Sequence, residues 1–131
     1  VLVLTYGTFD LFHYGHIRLL QRSRSLGTRL AVGLSTDEFN AMKSKNAFMP
    51  YEERAELLMS CRFVDLVFPE RTWEQKADDI VTLKANVLVM GDDWKGKFDH
   101  FGHLCAVSYL ERTPLISSTL LREGLKSYDP K

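Results

Sequence analysis

Two histidines, His13 and His16, have the types and spacing to hold an anion. They stand three residues apart at the start of a predicted helix, Gly15–Leu26, so their imidazoles share one side of its first turn. The run Val1–Tyr6 reads as a strand, and Gly7-Thr8-Phe9-Asp10 follows it as a turn. Backbone N–H groups in such a turn, and at the helix N-terminus after it, point at whatever lies above them and suit phosphate. Gly7 is expected to let the chain turn tightly, and Gly15 removes a side chain where a nucleotide could approach. Histidines at this spacing also fit a polar helix start with one capping imidazole, or a metal-binding pair. The strand and glycine turn before them favour phosphate.

A second constellation lies near the other end. Ser117, Ser118 and Thr119 are consecutive hydroxyls just before the amphipathic run Leu120–Glu123, the pattern of a capped helix N-terminus with free N–H groups. Arg112 precedes them with a planar, permanently charged donor fork. Alone, this is an ordinary helix start. Facing the first constellation, it makes a second anion cup. Two such cups suit a nucleoside triphosphate, whose transfer chemistry asks for positioning and charge stabilisation rather than a covalent protein nucleophile. His100 and His103 repeat the three-residue spacing but have no cysteine nearby, so a zinc site is not expected there.

These residues need a scaffold. Short apolar runs at Val1–Tyr6, Leu30–Ser35, Val64–Phe68, Val87–Met90 and Ala106–Leu110 read as strands buried on both faces. Helix-like segments alternate with them: Gly15–Leu26, Tyr51–Cys61, Trp73–Leu83 and Ser118–Lys126. Gly27 suits the end of the first helix; Pro50 with Glu52 and Glu53 suits the start of the second. Asn40–Pro50 reads as a mobile loop carrying Lys43 and Lys45. The alternation predicts an α/β fold, a Rossmann-like doubly wound parallel sheet of five strands in the order 3-2-1-4-5, with ligands beyond the carboxyl ends of its strands.

The 131 residues fit a single domain, 1–131, with 45% hydrophobic and 26% charged residues. Lys plus Arg and Asp plus Glu are 17 each, which argues against binding to nucleic acid or to anionic membrane. Val1–Leu4 is too short an apolar run for a signal segment or a membrane span. Cys61 and Cys105 lie in apolar stretches and read as buried free thiols, which favours a cytoplasmic setting. No Gly-x-Gly-x-x-Gly follows the first strand, which argues against a dinucleotide-dependent oxidoreductase.

Gly7-Thr8-Phe9-Asp10 with His13-Tyr14-Gly15-His16 resembles the signature of the cytidylyltransferase branch of the nucleotidyltransferase superfamily. Arg112-Thr113-Pro114-Leu115-Ile116-Ser117-Ser118-Thr119 is similar to that family's downstream motif, with Pro114-Leu115 where Glu-Gly is usual. Ser35–Asn40, Arg62–Asp65, Trp73–Lys76 and Met90–Trp94 extend the resemblance to bacterial glycerol-3-phosphate cytidylyltransferases over nearly the whole chain. The resemblance implies CMP transfer from CTP to glycerol 3-phosphate, giving CDP-glycerol for wall polymer synthesis, and pyrophosphate. It implies that Thr8, Phe9, the segment His13–His16, Lys45 and Arg112–Thr119 contact CTP, with Asp92 near the base. It assigns Lys43 and Lys76 to the acceptor phosphate, while Trp73 either covers the acceptor or staples its helix. His13, His16, Lys43 and Arg112 are the expected catalytic set. Mg²⁺ is expected to bridge the phosphates with Asp10 beside it. A homodimer is implied, with Asp37, Arg54, Arg62 and Asp65 at the interface. Another nucleotide or phosphorylated alcohol, or a nucleotide-binding regulatory module without turnover, are the competing readings.

Overall fold

A computed structural model of the chain describes residues 1–111. The downstream block Arg112–Thr119 and the expected helix Ser118–Lys126 lie outside the described residues. Five strands form one sheet in the order β3-β2-β1-β4-β5, every neighbouring pair parallel. They are β1 (Leu2–Gly7), β2 (Arg29–Ser35), β3 (Leu66–Glu70), β4 (Val87–Gly91) and β5 (Ala106–Leu110). The helices are α1 (Tyr14–Arg24), α2 (Asp37–Met42), α3 (Tyr51–Met59) and α4 (Gln75–Leu83). Short 3-10 turns at Asp92–Trp94 and Asp99–His103 follow β4.

The period-two alternation of strand side chains divides the core. Val3, Leu30, Val32, Leu34 and Val89 face one side, where Leu20 of α1 and Leu58 of α3 cover them. Leu4, Tyr6, Ala31, Leu88 and Met90 face the other, against Ile80 of α4, Phe98 and Phe101. Gly33 is required by this packing, because a Cβ there would meet the Tyr6 ring at 2.3 Å.

Several local expectations change. The edge strands β3 and β5 are only partly buried, unlike the three central ones. β3 begins at Leu66 rather than Val64 and runs on through Pro69, whose missing N–H an edge strand tolerates. Asn40–Met42 is helix rather than loop. Thr36 caps α2 by accepting from the Phe39 N–H at 3.1 Å, with Asp37 and Glu38 in the first turn. Helix α1 ends on Ser25 in right-handed conformation, so Gly27 is not its left-handed cap. Gly27 instead makes room for strand β1, since a Cβ would lie 2.6 Å from the Val1 carbonyl. Cys61 and Cys105 are free thiols, half-buried rather than buried. Among the described residues no helix is long and apolar enough to cross a membrane.

Candidate active site

The carboxyl ends of β1, β2, β3 and β4 deliver Thr8–Asp10, Thr36 with α2, Arg71–Trp73 and the Asp92–Trp94 turn to one edge of the sheet. The turn after β1 is strained at residues other than glycine: Phe9 and Leu11 both have φ of 49°. Left-handed backbone at a side-chain-bearing residue costs about 1–2 kcal/mol. Gly7 has no left-handed φ; it clears space for the Phe9 ring, 2.8 Å from where its Cβ would be. Asp10, 2% exposed, fixes this turn and the loop before α3 together. Its carboxylate accepts from the N–H groups of Leu11 (3.1 Å), Phe48 (2.6 Å) and Met49 (3.0 Å).

His13 and His16 form a reciprocal cap on α1. The Gly15 N–H donates to His13 Nδ1 at 3.0 Å, and the His13 N–H donates to His16 Nδ1 at 3.1 Å. The rings stack with centroids 3.8 Å apart, and His16 packs further against Phe9 and Phe12. With Nδ1 an acceptor in both rings, each neutral imidazole carries its proton on Nε2. Burial lowers the His13 pKa. Burial lowers that of His16 to about 3, helped by repulsion from His13 and opposed by Asp10. The capping reading holds for both residues: Nδ1 of each ring builds the helix start, which puts the proton of each neutral ring on Nε2.

The His16 shift has a consequence for stability. An unfolded His16 takes up a proton near pH 6.5, whereas the folded one resists until about pH 3. Between those values the unfolded state binds more protons, so the contribution is intact above pH 6.5 and is lost as pH falls toward 3. Melting at pH 7.5 and pH 5 should give a lower midpoint at pH 5, and His16→Asn should shrink the difference. Equal shrinkage in a His100→Asn control would remove His16 as its source.

The lysines lie at the ends of β2 and β3. Lys43 Nζ donates to Ser35 Oγ at 3.0 Å and sits 4.4 Å from the Phe39 ring centroid. Burial lowers its pKa, and Glu70 opposes that. Lys76 is not a helix-surface lysine: it is 2% exposed and pairs with Glu70 at 2.6 Å. Trp73, exposed at 46%, packs against Phe39 and Trp94, and both ammonium groups lie over its ring at 5.6 and 5.3 Å. Trp73 thus bridges α2 and the turn after β4 as a roof over the lysine site. Lys45 is exposed on the loop, beside a shallow hollow of about 320 Å³ lined also by Asp37, Asn46 and Phe48. Asp92 is exposed in the turn after β4. Tyr14 is exposed and Gly15 half-buried in the first turn of α1.

One expectation is corrected here. Arg54, expected at a subunit interface, is 0% exposed. Its guanidinium donates to the carbonyls of Met49 (2.9 Å), Thr8 (3.0 Å) and Ser35 (2.8 Å) and to Asp37 (2.7 Å), tying the ends of β1 and β2 to α3. Asp37 keeps an exposed face, as do Arg62 and Asp65, the last paired with Arg24 at 3.3 Å. Asp10, expected beside Mg²⁺, has its carboxylate engaged by the backbone N–H groups of Leu11, Phe48 and Met49. Among the described residues there is no group of three or more His, Cys, Asp or Glu suited to a metal.

Sequence reasoning missed Glu70 and Ser35, which hold the two lysines together. The available signal was position: each is the last residue of a parallel strand, at the edge where ligands bind.

The cytidylyltransferase-like family profile matches residues 4–124. A glycerol-3-phosphate cytidylyltransferase of Staphylococcus aureus (strain NCTC 8325 / PS 47) is 51% identical over 129 residues, covering 98% of each chain. One of Bacillus subtilis (strain 168) is 54% identical over 123 residues, covering 94% of this chain and 95% of the relative. Among solved structures, a lipopolysaccharide core biosynthesis protein of Thermoplasma volcanium GSS1 superimposes with a TM-score of 0.75 at 22% identity, over 86% of this chain and 98% of that one, a likeness of fold. A sheet of this order, a histidine-capped first helix and identity of this extent give one answer: the chain belongs to the cytidylyltransferase-like family and, within it, to the glycerol-3-phosphate cytidylyltransferases.

Proposed function

We propose that the protein joins CTP to glycerol 3-phosphate, giving CDP-glycerol and pyrophosphate. A phosphate oxygen of the acceptor attacks the α-phosphorus of CTP in line. The new P–O bond forms as the bond from the α-phosphorus to its leaving oxygen breaks, and pyrophosphate departs with that electron pair. The observation that carries the reading is the His13–His16 pair, two Nε2–H donors fixed by backbone at the first helix, in a chain about half identical to glycerol-3-phosphate cytidylyltransferases along nearly its whole length.

In this reading the two imidazoles donate to oxygens of the α- and β-phosphates, where charge builds as pyrophosphate leaves. The triphosphate supplies the negative charge that burial and mutual repulsion withhold, so their pKa values rise on binding. Thr8 and Phe9 present the β1 turn to the nucleotide, Asp92 lies on the base side and Lys45 reaches in from the loop. Arg112–Thr119 belong to the same proposal as the second anion cup. Lys43 and Lys76 receive the acceptor phosphate under Trp73. Mg²⁺, bound with the triphosphate, would neutralise part of its charge. The pair of free thiols suits a cytoplasmic setting. Two copies are proposed to associate through Asp37, Arg62 and Asp65, with the exposed Met59 and Leu66 nearby in the chain; light scattering at micromolar concentration tests this, and a monomer mass defeats it.

The deciding assay offers each of the four nucleoside triphosphates with glycerol 3-phosphate and measures pyrophosphate. CTP is expected to lead by about 10⁴-fold, the discrimination available to a site built to hydrogen-bond a base edge. Equal release with ATP would defeat the choice of nucleotide. No release above background with glycerol 3-phosphate, against release with another phosphorylated alcohol, would defeat the choice of acceptor.

A further inference from the structure

Glu70 closes β3 at the ligand edge of the sheet and is 3% exposed. One carboxylate oxygen accepts from Lys76 Nζ at 2.6 Å. The other accepts from Ser35 Oγ at 2.9 Å, and Ser35 Oγ in turn accepts from Lys43 Nζ at 3.0 Å. One carboxylate therefore holds both lysines, the first directly and the second through a hydroxyl. We propose that Glu70 is the positioning residue for the acceptor: it fixes Lys43 and Lys76 as one unit that receives the phosphate of glycerol 3-phosphate. The inference rests on the acceptor reading above.

The physical case is one of charge in a dry place. Lys76 lies against the rings of Tyr6, Trp73 and Phe98, with ring centroids 4.6, 5.3 and 5.5 Å from its Nζ. An ammonium in such surroundings is cut off from water and is costly to bury without an anion beside it. Two ammonium groups so close to one ring would also repel each other without a charge between them. Glu70 answers both problems. Two cations and one carboxylate leave a net charge of +1 to meet an incoming phosphate. Glu70 cannot itself bind that phosphate, since carboxylate and phosphate repel, so it acts only through the lysines. Each ammonium has three donors, and the bonds to Glu70 and Ser35 use one apiece. The remaining donors are held in direction by the one that is used.

The test is a set of variants read by steady-state kinetics and CTP calorimetry. Glu70→Gln keeps size and hydrogen-bonding capacity and removes the charge. It is expected to raise KM for glycerol 3-phosphate about tenfold or more, in keeping with loss of a charge-assisted contact, while the CTP dissociation constant stays within about twofold. Ser35→Ala cuts only the arm to Lys43 and should raise acceptor KM by less; it also carries the test if the Glu70 variant fails to fold. Lys76→Met combined with Glu70→Gln should be no worse than the poorer single variant, because Glu70 acts on the acceptor only through the lysines it holds. Unchanged acceptor KM in both Glu70→Gln and Ser35→Ala, or equal weakening of CTP and acceptor, would reduce Glu70 to an ordinary buried ion pair and overturn the proposal. Failure of the wild-type protein to use glycerol 3-phosphate would instead defeat the acceptor reading, and is seen before any variant is made.

Discussion

His13→Asn is expected to fold normally and to lose turnover by about 10²–10³-fold, the effect of deleting one donor aimed at developing charge. The substitution exploits the division of labour within the imidazole. Nδ1 of His13 caps α1 by accepting from the Gly15 N–H at 3.0 Å, and asparagine is among the best residues for that task. What asparagine lacks is a second nitrogen reaching out on the far side of a ring. His13→Ala removes both functions. It should show the same loss of turnover plus about 1 kcal/mol of stability, the usual worth of an N-cap. Urea unfolding and single-turnover product analysis separate the two. An asparagine variant working within a few-fold of wild type would take His13 out of the chemistry and leave it as a cap alone. The corresponding exchange at His16 is less clean, because that ring is packed against Phe9, Phe12 and His13.

The largest expected loss of stability is at Arg54. Removing its guanidinium by Arg54→Met deprives the carbonyls of Thr8, Ser35 and Met49 of a charged donor at once, and leaves Asp37 without its partner. Breaking a buried charged group out of its bonds costs about 3–5 kcal/mol, about a fifth or more of the stability of an ordinary domain. Arg54→Lys should recover little, since one ammonium cannot reach four acceptors spread around a planar fork. Urea denaturation followed by far-ultraviolet circular dichroism measures both. A cost below about 1 kcal/mol for the methionine variant would mean that the ends of β1 and β2 hold their positions without it. The loss should also reach the reaction, because the Thr8 and Ser35 carbonyls that Arg54 grips carry the turn before His13 and the hydroxyl that meets Lys43.

The parts of this architecture that were legible in the sequence are those specified by neighbours along the chain. Strand order followed from apolar runs alternating with helical ones. The histidine pair could be read because strand, glycine, turn and helix start are contiguous. Arg54, Glu70 and Lys76 could not be read in the same way. Arg54 and Lys76 each sit within a short helix among polar neighbours, where a surface position is the ordinary inference. Much of their burial comes from segments further off in the chain: the ends of β1 and β2 for Arg54, and β1 and the turns after β4 for Lys76. A charged residue is buried only where such distant groups supply partners, and local pattern does not record them. Helix α2 was missed for a different reason: six residues are too few to show a periodic apolar face.

Pro69 sits in β3, the outermost strand on one side of the sheet. A strand from another molecule laid along that border would find one rung of the ladder without a hydrogen to offer. Proline here acts as a stop on a surface that could otherwise template further growth, including fibrous growth.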